Sequence, residues 1–141
     1  VLCASPSYLA ERGVPRGLED LAGHDTIVFR LPTSGRDRPW QFRRDGVPTE
    51  VSPHPHLRVN ETEGLLEAVK LGLGIGQLPD LLMTDELARG ELVELLPEHR
   101  PEVMPIHLIY PSRRLLPSRV RAAIEVLSGL SKRRAAQPSV G

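Results

Sequence analysis

The sequence predicts an α/β fold built on a mostly parallel sheet, and three observations carry that prediction. Short β-branched, apolar or aromatic runs of strand length recur along the chain, among them Thr26–Phe29, Leu57–Val59 and Ile106–Tyr110. Between them, apolar residues fall at helical spacing: Leu65, Leu66, Val69 and Leu73, then Val120, Ala123, Ile124, Leu127 and Leu130. The segment TEGLLEAVKLGLGIGQLP, Thr62 to Pro79, joins both patterns, an amphipathic helix passing through a glycine-rich turn into a short strand that stops at proline. Its glycines at 72, 74 and 76 permit close backbone approach, as the floor of a small-molecule cleft requires. Strands alternating with helices argue for right-handed crossovers.

The elements follow in order. Val1–Cys3 reads as a strand. Ser5 caps a helix with Pro6 at its first position, and Gly13 ends it. Leu18, Leu21 and Ala22 give a further helical turn, and Thr26–Phe29 a buried strand. Leu31–Arg38 is a loop rich in Pro, Thr, Ser and Gly. Trp40–Arg44 and Val47–Val51 flank Asp45-Gly46, a pair suited to the positive φ of a tight hairpin turn. Leu57–Val59 is a strand. Asn60 then stands as N-cap with Glu63 three residues on, as in a capping box, opening the helix of Leu65, Leu66 and Val69. Leu81–Ala88 is a helix ending at Gly90, Leu92–Leu95 a strand, Pro97–Pro105 a loop and Ile106–Tyr110 a strand. Pro117 begins the last helix, and the polar, basic tail from Ser131 is expected to be disordered.

Composition bounds the function. A chain of 141 residues is long enough for one domain with a real core, and its 40% hydrophobic and 26% charged content is that of a soluble globular protein. The net charge is zero and the basic residues are dispersed, which removes the global attraction to phosphates on which nucleic-acid affinity mostly rests. The single cysteine, Cys3, excludes an intrachain disulfide. No secretory pattern is visible, and the longest uncharged apolar stretch, Leu71–Pro79, is too short to cross a bilayer. Together these point to the cytoplasm and away from the membrane. The chain opens on Val within a strand rather than on Met, as a piece of a longer protein would.

Several landmarks occur in a fixed order: Val1-Leu2-Cys3-Ala4-Ser5-Pro6-Ser7-Tyr8-Leu9 with Gly13; Leu18-Glu19-Asp20-Leu21 with His24-Asp25; and Trp40 ahead of the Asp45-Gly46 hairpin. Val59-Asn60-Glu61-Thr62, Gly72-Leu73-Gly74-Ile75-Gly76-Gln77-Leu78-Pro79, Leu92-Val93-Glu94-Leu95-Leu96-Pro97 and His107-Leu108-Ile109-Tyr110-Pro111-Ser112 follow. In this ordered set, over about residues 1 to 130, the chain resembles the effector-binding domain of LysR-type transcriptional regulators. The resemblance implies a fold like type 2 periplasmic binding proteins, two α/β lobes joined by crossover strands with a ligand between them. Residues 1–107 would form the second lobe with its crossovers, 108–130 the return strand and terminal helix of the first lobe, and 131–141 a disordered tail. Most of the first lobe, the linker helix and the winged helix-turn-helix have no counterpart here, so DNA binding would belong to the parent protein. The parent is expected to be a homodimer or tetramer.

In the family, effectors touch the loop after the strand matching Thr26–Arg30 and the helix start matching Asn60–Thr62. Carried onto this chain, the effector-binding candidates are Arg30, Thr33, Ser34, Asn60 and Thr62. A helix N-terminus offers free N–H groups to an anion, and an arginine can fork onto a carboxylate, so the effector class includes carboxylates. Asn60 equally suits a cap, Ser34 a turn and Arg30 a solvated surface.

Other constellations point to ordinary structural roles. His54-Pro55-His56 has no Cys or acidic residue at ligand spacing, so no metal or other cofactor is expected. His107 reads as a core histidine and Cys3 as a buried structural thiol. Ser5, Ser7, Asp20 and His24 lack a nucleophile elbow and an oxyanion loop, so catalysis is not expected. Gly72-x-Gly74-x-Gly76 follows a helix and precedes a strand, the reverse of a dinucleotide fingerprint. Val120, Ile124 and Leu127 read as a core stripe whose cover would lie in the first lobe. The leading expectation is a ligand-sensing domain. A solute-binding receptor for transport shares the fold but calls for an export signal, and an enzyme on the same lobes calls for a convergent acid–base set.

Overall fold

The computed structural model describes residues 1–103 and 117–135, without the side chains of 128–135. The strand expected at Ile106–Tyr110, with His107, and the last six residues of the tail lie outside the described residues. The chain divides into two compact units between Val103 and Met104.

The first unit is a three-layer α/β lobe. Its sheet holds β1 (Leu2–Ala4), β2 (Thr26–Phe29), β5 (Leu57–Val59), β6 (Ile75–Gln77) and β7 (Val93–Leu95) in the order β5-β2-β6-β1-β7. β2 runs parallel to β5 and β6, as the crossover pattern predicts. β1 is antiparallel to both of its neighbours, β6 and β7. The sheet is therefore mixed, with β1 alone reversed.

Alternation along the strands sorts residues between two cores. On one face Leu2, Ala4, Ile75 and Leu95 meet Tyr8 and Leu9 of α1 (Pro6–Arg12) and Trp40 and Phe42 of β3 (Trp40–Arg44). On the other, Cys3 and Ile27 meet Leu65, Ala68 and Val69 of α2 (Thr62–Lys70), with Leu78, Met83 and Leu92. Helix α1 starts as its sequence requires: Ser5 Oγ accepts from Tyr8 N at 3.3 Å, Pro6 follows, and Gly13 N donates to the Leu9 carbonyl. β3 and β4 (Val47–Val51) form a separate hairpin whose turn holds Asp45 and Gly46 at φ 51 and 79, as the Asp-Gly pair predicts.

Two of the glycines after α2, Gly74 and Gly76, are required by internal packing. A Cβ on Gly74, at φ +152, would sit 2.4 Å from the Asp25 carbonyl oxygen; one on Gly76 would sit 2.6 Å from Val69 Cγ2. β6 can pass beneath α2 only because these positions carry no side chain.

Three local expectations are corrected. Asn60 does not cap α2. The N-cap is Glu61, without a side-chain cap bond, and the capping box with Glu63 does not form. Arg30 N donates to the Val59 carbonyl at 2.7 Å, which carries the β2–β5 ladder past the strand end and delays the helix by one residue. Leu73 lies beyond α2 and is 48% exposed. The helix read over Leu81–Ala88 is split, because Met83 turns fully into the core. A 3-10 turn at Asp80–Leu82 precedes it and α3 (Thr84–Arg89) follows, ending on left-handed Gly90.

The second unit contributes α4 (Ser118–Ala135), longer than the Pro117–Leu130 stripe suggests. The Pro117 carbonyl accepts from Val120 N and Arg121 N. Within α4, Val120 and Ile124 are half-buried and Leu127 is 50% exposed.

Candidate effector site

The parallel strands β5, β2 and β6 end at the same edge of the sheet, and open α/β sheets bind ligands outside such carboxyl ends. Arg30 leaves β2 there and Asn60 leaves β5. The Arg30 N to Val59 O bond sets them side by side. Both are exposed. Thr62, half-buried, opens α2 immediately after. With no side chain capping it, the first turn of α2 keeps unused N–H donors and the positive end of the helix dipole. Asn60 and Thr62 make no side-chain hydrogen bond among the described residues, so their polar atoms are available.

Thr33 and Ser34 sit farther out. The loop from Leu31 folds back on itself through Gly35 N to Leu31 O at 2.8 Å and Leu31 N to Arg36 O at 2.9 Å. Arg30 pairs with Asp37 as an antiparallel bridge, and Arg38 N donates to the Phe29 carbonyl. Ser34 Oγ accepts a long bond from Arg36 N at 3.4 Å, the turn-shaping role that its sequence context also suits. Thr33 is exposed on the same turn. Arg30 Nε donates to the Gly35 carbonyl at 2.8 Å, which holds the guanidinium at the mouth of the loop and leaves its terminal nitrogens free. The structure thus brings Arg30 and Asn60 together with Thr62 beside them, and links Thr33 and Ser34 to Arg30 through the loop.

Two features escaped sequence reasoning. Gln77, at the carboxyl end of β6, clasps the backbone of Gln41 and ties the hairpin to the sheet at the same edge. The only hint was a polar residue two positions after Ile75 in an apolar strand. Arg36 and Arg38 flank Asp37 on the loop. A basic-acidic-basic triplet at a strand exit was their signal.

The other polar constellations are occupied locally. Ser5 Oγ lies 3.0 Å from Ser7 Oγ, His24 Nδ1 lies 3.1 Å from Tyr8 Oη, and Asp20 accepts from Arg16 N at 2.8 Å. These contacts leave Ser, His and Asp in separate pairs. The His54 carbonyl accepts from Thr26 Oγ1, and His56 Nδ1 stands 3.6 Å from Asp25. Among the described residues no three His, Cys, Asp or Glu side chains converge as metal ligands, and no helix is long and apolar enough to cross a membrane. Cys3 is fully buried, and burial pushes its thiol up to about 12.

Comparison with known proteins agrees with this architecture. The chain is 34% identical over 131 residues to the probable HTH-type transcriptional regulator LtrA of Klebsiella pneumoniae, covering 91% of this chain and 42% of that protein. It is 40% identical over 130 residues to the HTH-type transcriptional regulator PtxR of Pseudomonas aeruginosa, covering 90% and 40%. The chain therefore spans well under half the length of these relatives. The CrgA regulatory domain from Neisseria meningitidis, a LysR-type transcriptional regulator, superposes with a TM-score of 0.74 at 33% identity, over 89% of this chain and 61% of that one. The regulatory domain of AphB from Vibrio vulnificus gives 0.75 at 25% identity, over 92% and 63%. The family model for the LysR substrate binding domain matches residues 1–131, and the chain belongs to that family.

Proposed function

We propose that this chain is the ligand-sensing part of a bacterial, cytoplasmic, non-enzymatic transcriptional regulator, whose DNA-reading head and remaining lobe lie in the rest of the parent protein. The observation that carries the site is the pairing of Arg30 with Asn60 at the ends of two parallel strands, beside an uncapped helix start at Thr62. Arg30, Thr33, Ser34, Asn60 and Thr62 then contact a small metabolite. In the lobe assignment, residues 1–107 form the second lobe and 108–130 the return strand and terminal helix of the first, with that helix running on to Ala135 where the sequence suggests a tail. The effector biases lobe closure, and a homo-oligomeric parent redirects its DNA-reading domains. Such switching requires that the effector bind one arrangement more tightly than the other.

A thermal-shift screen of carboxylates and aromatic acids, followed by titration of each hit against Asn60→Ala and Thr62→Val, tests the site. Affinity should fall about ten-fold, the worth of one lost charge-assisted hydrogen bond. Unchanged affinity for every hit removes these residues from the site. The segment encoded ahead of Val1 in the parent gene tests the class: a helix-turn-helix supports a regulator, a signal peptide a transport receptor.

A further inference from the structure

The cations of the lobe are not treated alike. Residues 1–103 contain eleven Lys and Arg side chains. Seven of them hold a carboxylate of the chain, as Arg44 holds Glu19 and Arg89 holds Glu91. The four that hold none are Arg16, Arg30, Arg36 and Arg38, and the last three lie at the end of β2 and on the loop that follows it. The nearest carboxylate in the sequence, Asp37, is taken from outside the loop: Arg58 Nε donates to both of its oxygens, at 3.0 and 3.2 Å. Arg30 spends only its Nε, on the Gly35 carbonyl. Arg36 and Arg38 are exposed, and their guanidinium groups have no hydrogen-bond partner among the described residues. A chain of zero net charge therefore keeps a local excess of cations at one edge of its sheet. Like charges repel, and elsewhere in the lobe every Lys and Arg except Arg16 is given a carboxylate of the chain. At this edge Arg30, Arg36 and Arg38 hold no carboxylate of the chain among the described residues, which leaves their charge open to an anion from outside.

We infer that the effector is a small dianion, a dicarboxylate or a phosphate ester, with Arg36 and Arg38 selecting for its second negative charge. This rests on the effector site proposed above, where Arg30, Asn60 and the α2 N-terminus take the first anionic group. Guanidinium forks suit carboxylate and phosphate alike, which is why the loop sets charge number before it sets chemical type.

Isothermal titration of the chain with succinate, glycerol 3-phosphate and the monoanion propionate tests this, at low and high salt. The proteins are the wild type, the Arg36→Gln/Arg38→Gln pair and the Asn60→Ala/Thr62→Val pair. Arg36 and Arg38 are exposed and make no side-chain hydrogen bond or ion pair among the described residues, so their replacement leaves folding intact. The dianions should bind about ten-fold or more tightly than propionate, and high salt should narrow the gap because the site is exposed. R36Q/R38Q should abolish the preference while leaving weak monoanion binding. Whichever of succinate and glycerol 3-phosphate binds more tightly names the chemical type. Equal affinity for succinate and propionate, a preference that survives R36Q/R38Q, or no dianion binding at millimolar concentration overturns the inference. The two readings separate cleanly. Sensitivity to N60A/T62V alone keeps the effector site and discards the dianion. Sensitivity to R36Q/R38Q alone keeps the dianion and moves its site onto the loop.

Discussion

The side chain of Gln77 and the backbone of Gln41 satisfy each other in both directions: Gln41 N donates to Oε1 at 2.8 Å, and Nε2 donates to the Gln41 carbonyl at 2.7 Å. The amide side chain thereby imitates one rung of a strand ladder and joins the hairpin to the sheet without a strand between them. Gln77→Ala leaves a half-buried N–H and a carbonyl without partners, and should lower the unfolding free energy by about 2–3 kcal/mol in urea titrations. Gln77→Glu keeps only the acceptor and should fall between Ala and the wild type near neutral pH.

Gly76 is a packing glycine. Gly76→Ala places a methyl 2.6 Å from Val69 Cγ2, a side chain with no exposure, and overpacking of this kind costs about 1–3 kcal/mol. Adding Val69→Ala removes the obstructing atom, so the double variant should be less destabilised than the sum of the singles in chemical denaturation. Gly74→Ala meets the Asp25 carbonyl oxygen instead, which is backbone and cannot be trimmed away, so no side-chain partner substitution should rescue it.

Leu96 holds left-handed backbone, φ 51 and ψ 52, immediately before Pro97, while its side chain is buried in the core beneath the hairpin. Burial competes with backbone strain there, and burial prevails. Both Leu96→Ala and Leu96→Gly lose the packing. The glycine variant should nevertheless be the more stable of the two by about 1 kcal/mol, because only glycine adopts this conformation freely. Paired thermal melts read the difference directly, and a more stable alanine variant would contradict the strain.

Cys3 gives the fold an alkaline limit. Burial raises its thiol from 9.0 to about 12, so the folded chain keeps the proton where the unfolded chain releases it. The resulting stability is complete below pH 9 and declines as pH climbs towards 12. Cys3→Ala should flatten that part of the stability–pH curve. Alkylation of the native thiol at pH 8 should proceed only as fast as the lobe opens, whereas urea-unfolded chain should react at once.

Much of this lobe was legible because local chemistry agreed with the final fold. Ser5-Pro6, Asp45-Gly46 and the run Thr26–Phe29 each specify their element within a few residues. The errors arose where a distant residue decided the outcome. Asn60 looks like a cap until the Arg30 N to Val59 O bond prolongs the strand. Leu81–Ala88 looks like one helix until the core claims Met83. The strand-end position of Arg30 and Asn60 followed from the family pattern, yet the chain order gave no sign that Arg58 would occupy Asp37 and leave Arg36 and Arg38 uncovered.

The reversed strand β1 also constrains how the chain is made. Cys3 registers with Gly76, 73 residues later, and Ala4 with Val93 later still. A ribosome therefore extrudes this apolar strand before its partners and must hold it unpaired until nearly the whole lobe has emerged. Closing so long a loop early is entropically disfavoured, so the sheet assembles late and as one cooperative act. During synthesis the exposed Leu2–Ala4 segment is where a holding chaperone would do the most good.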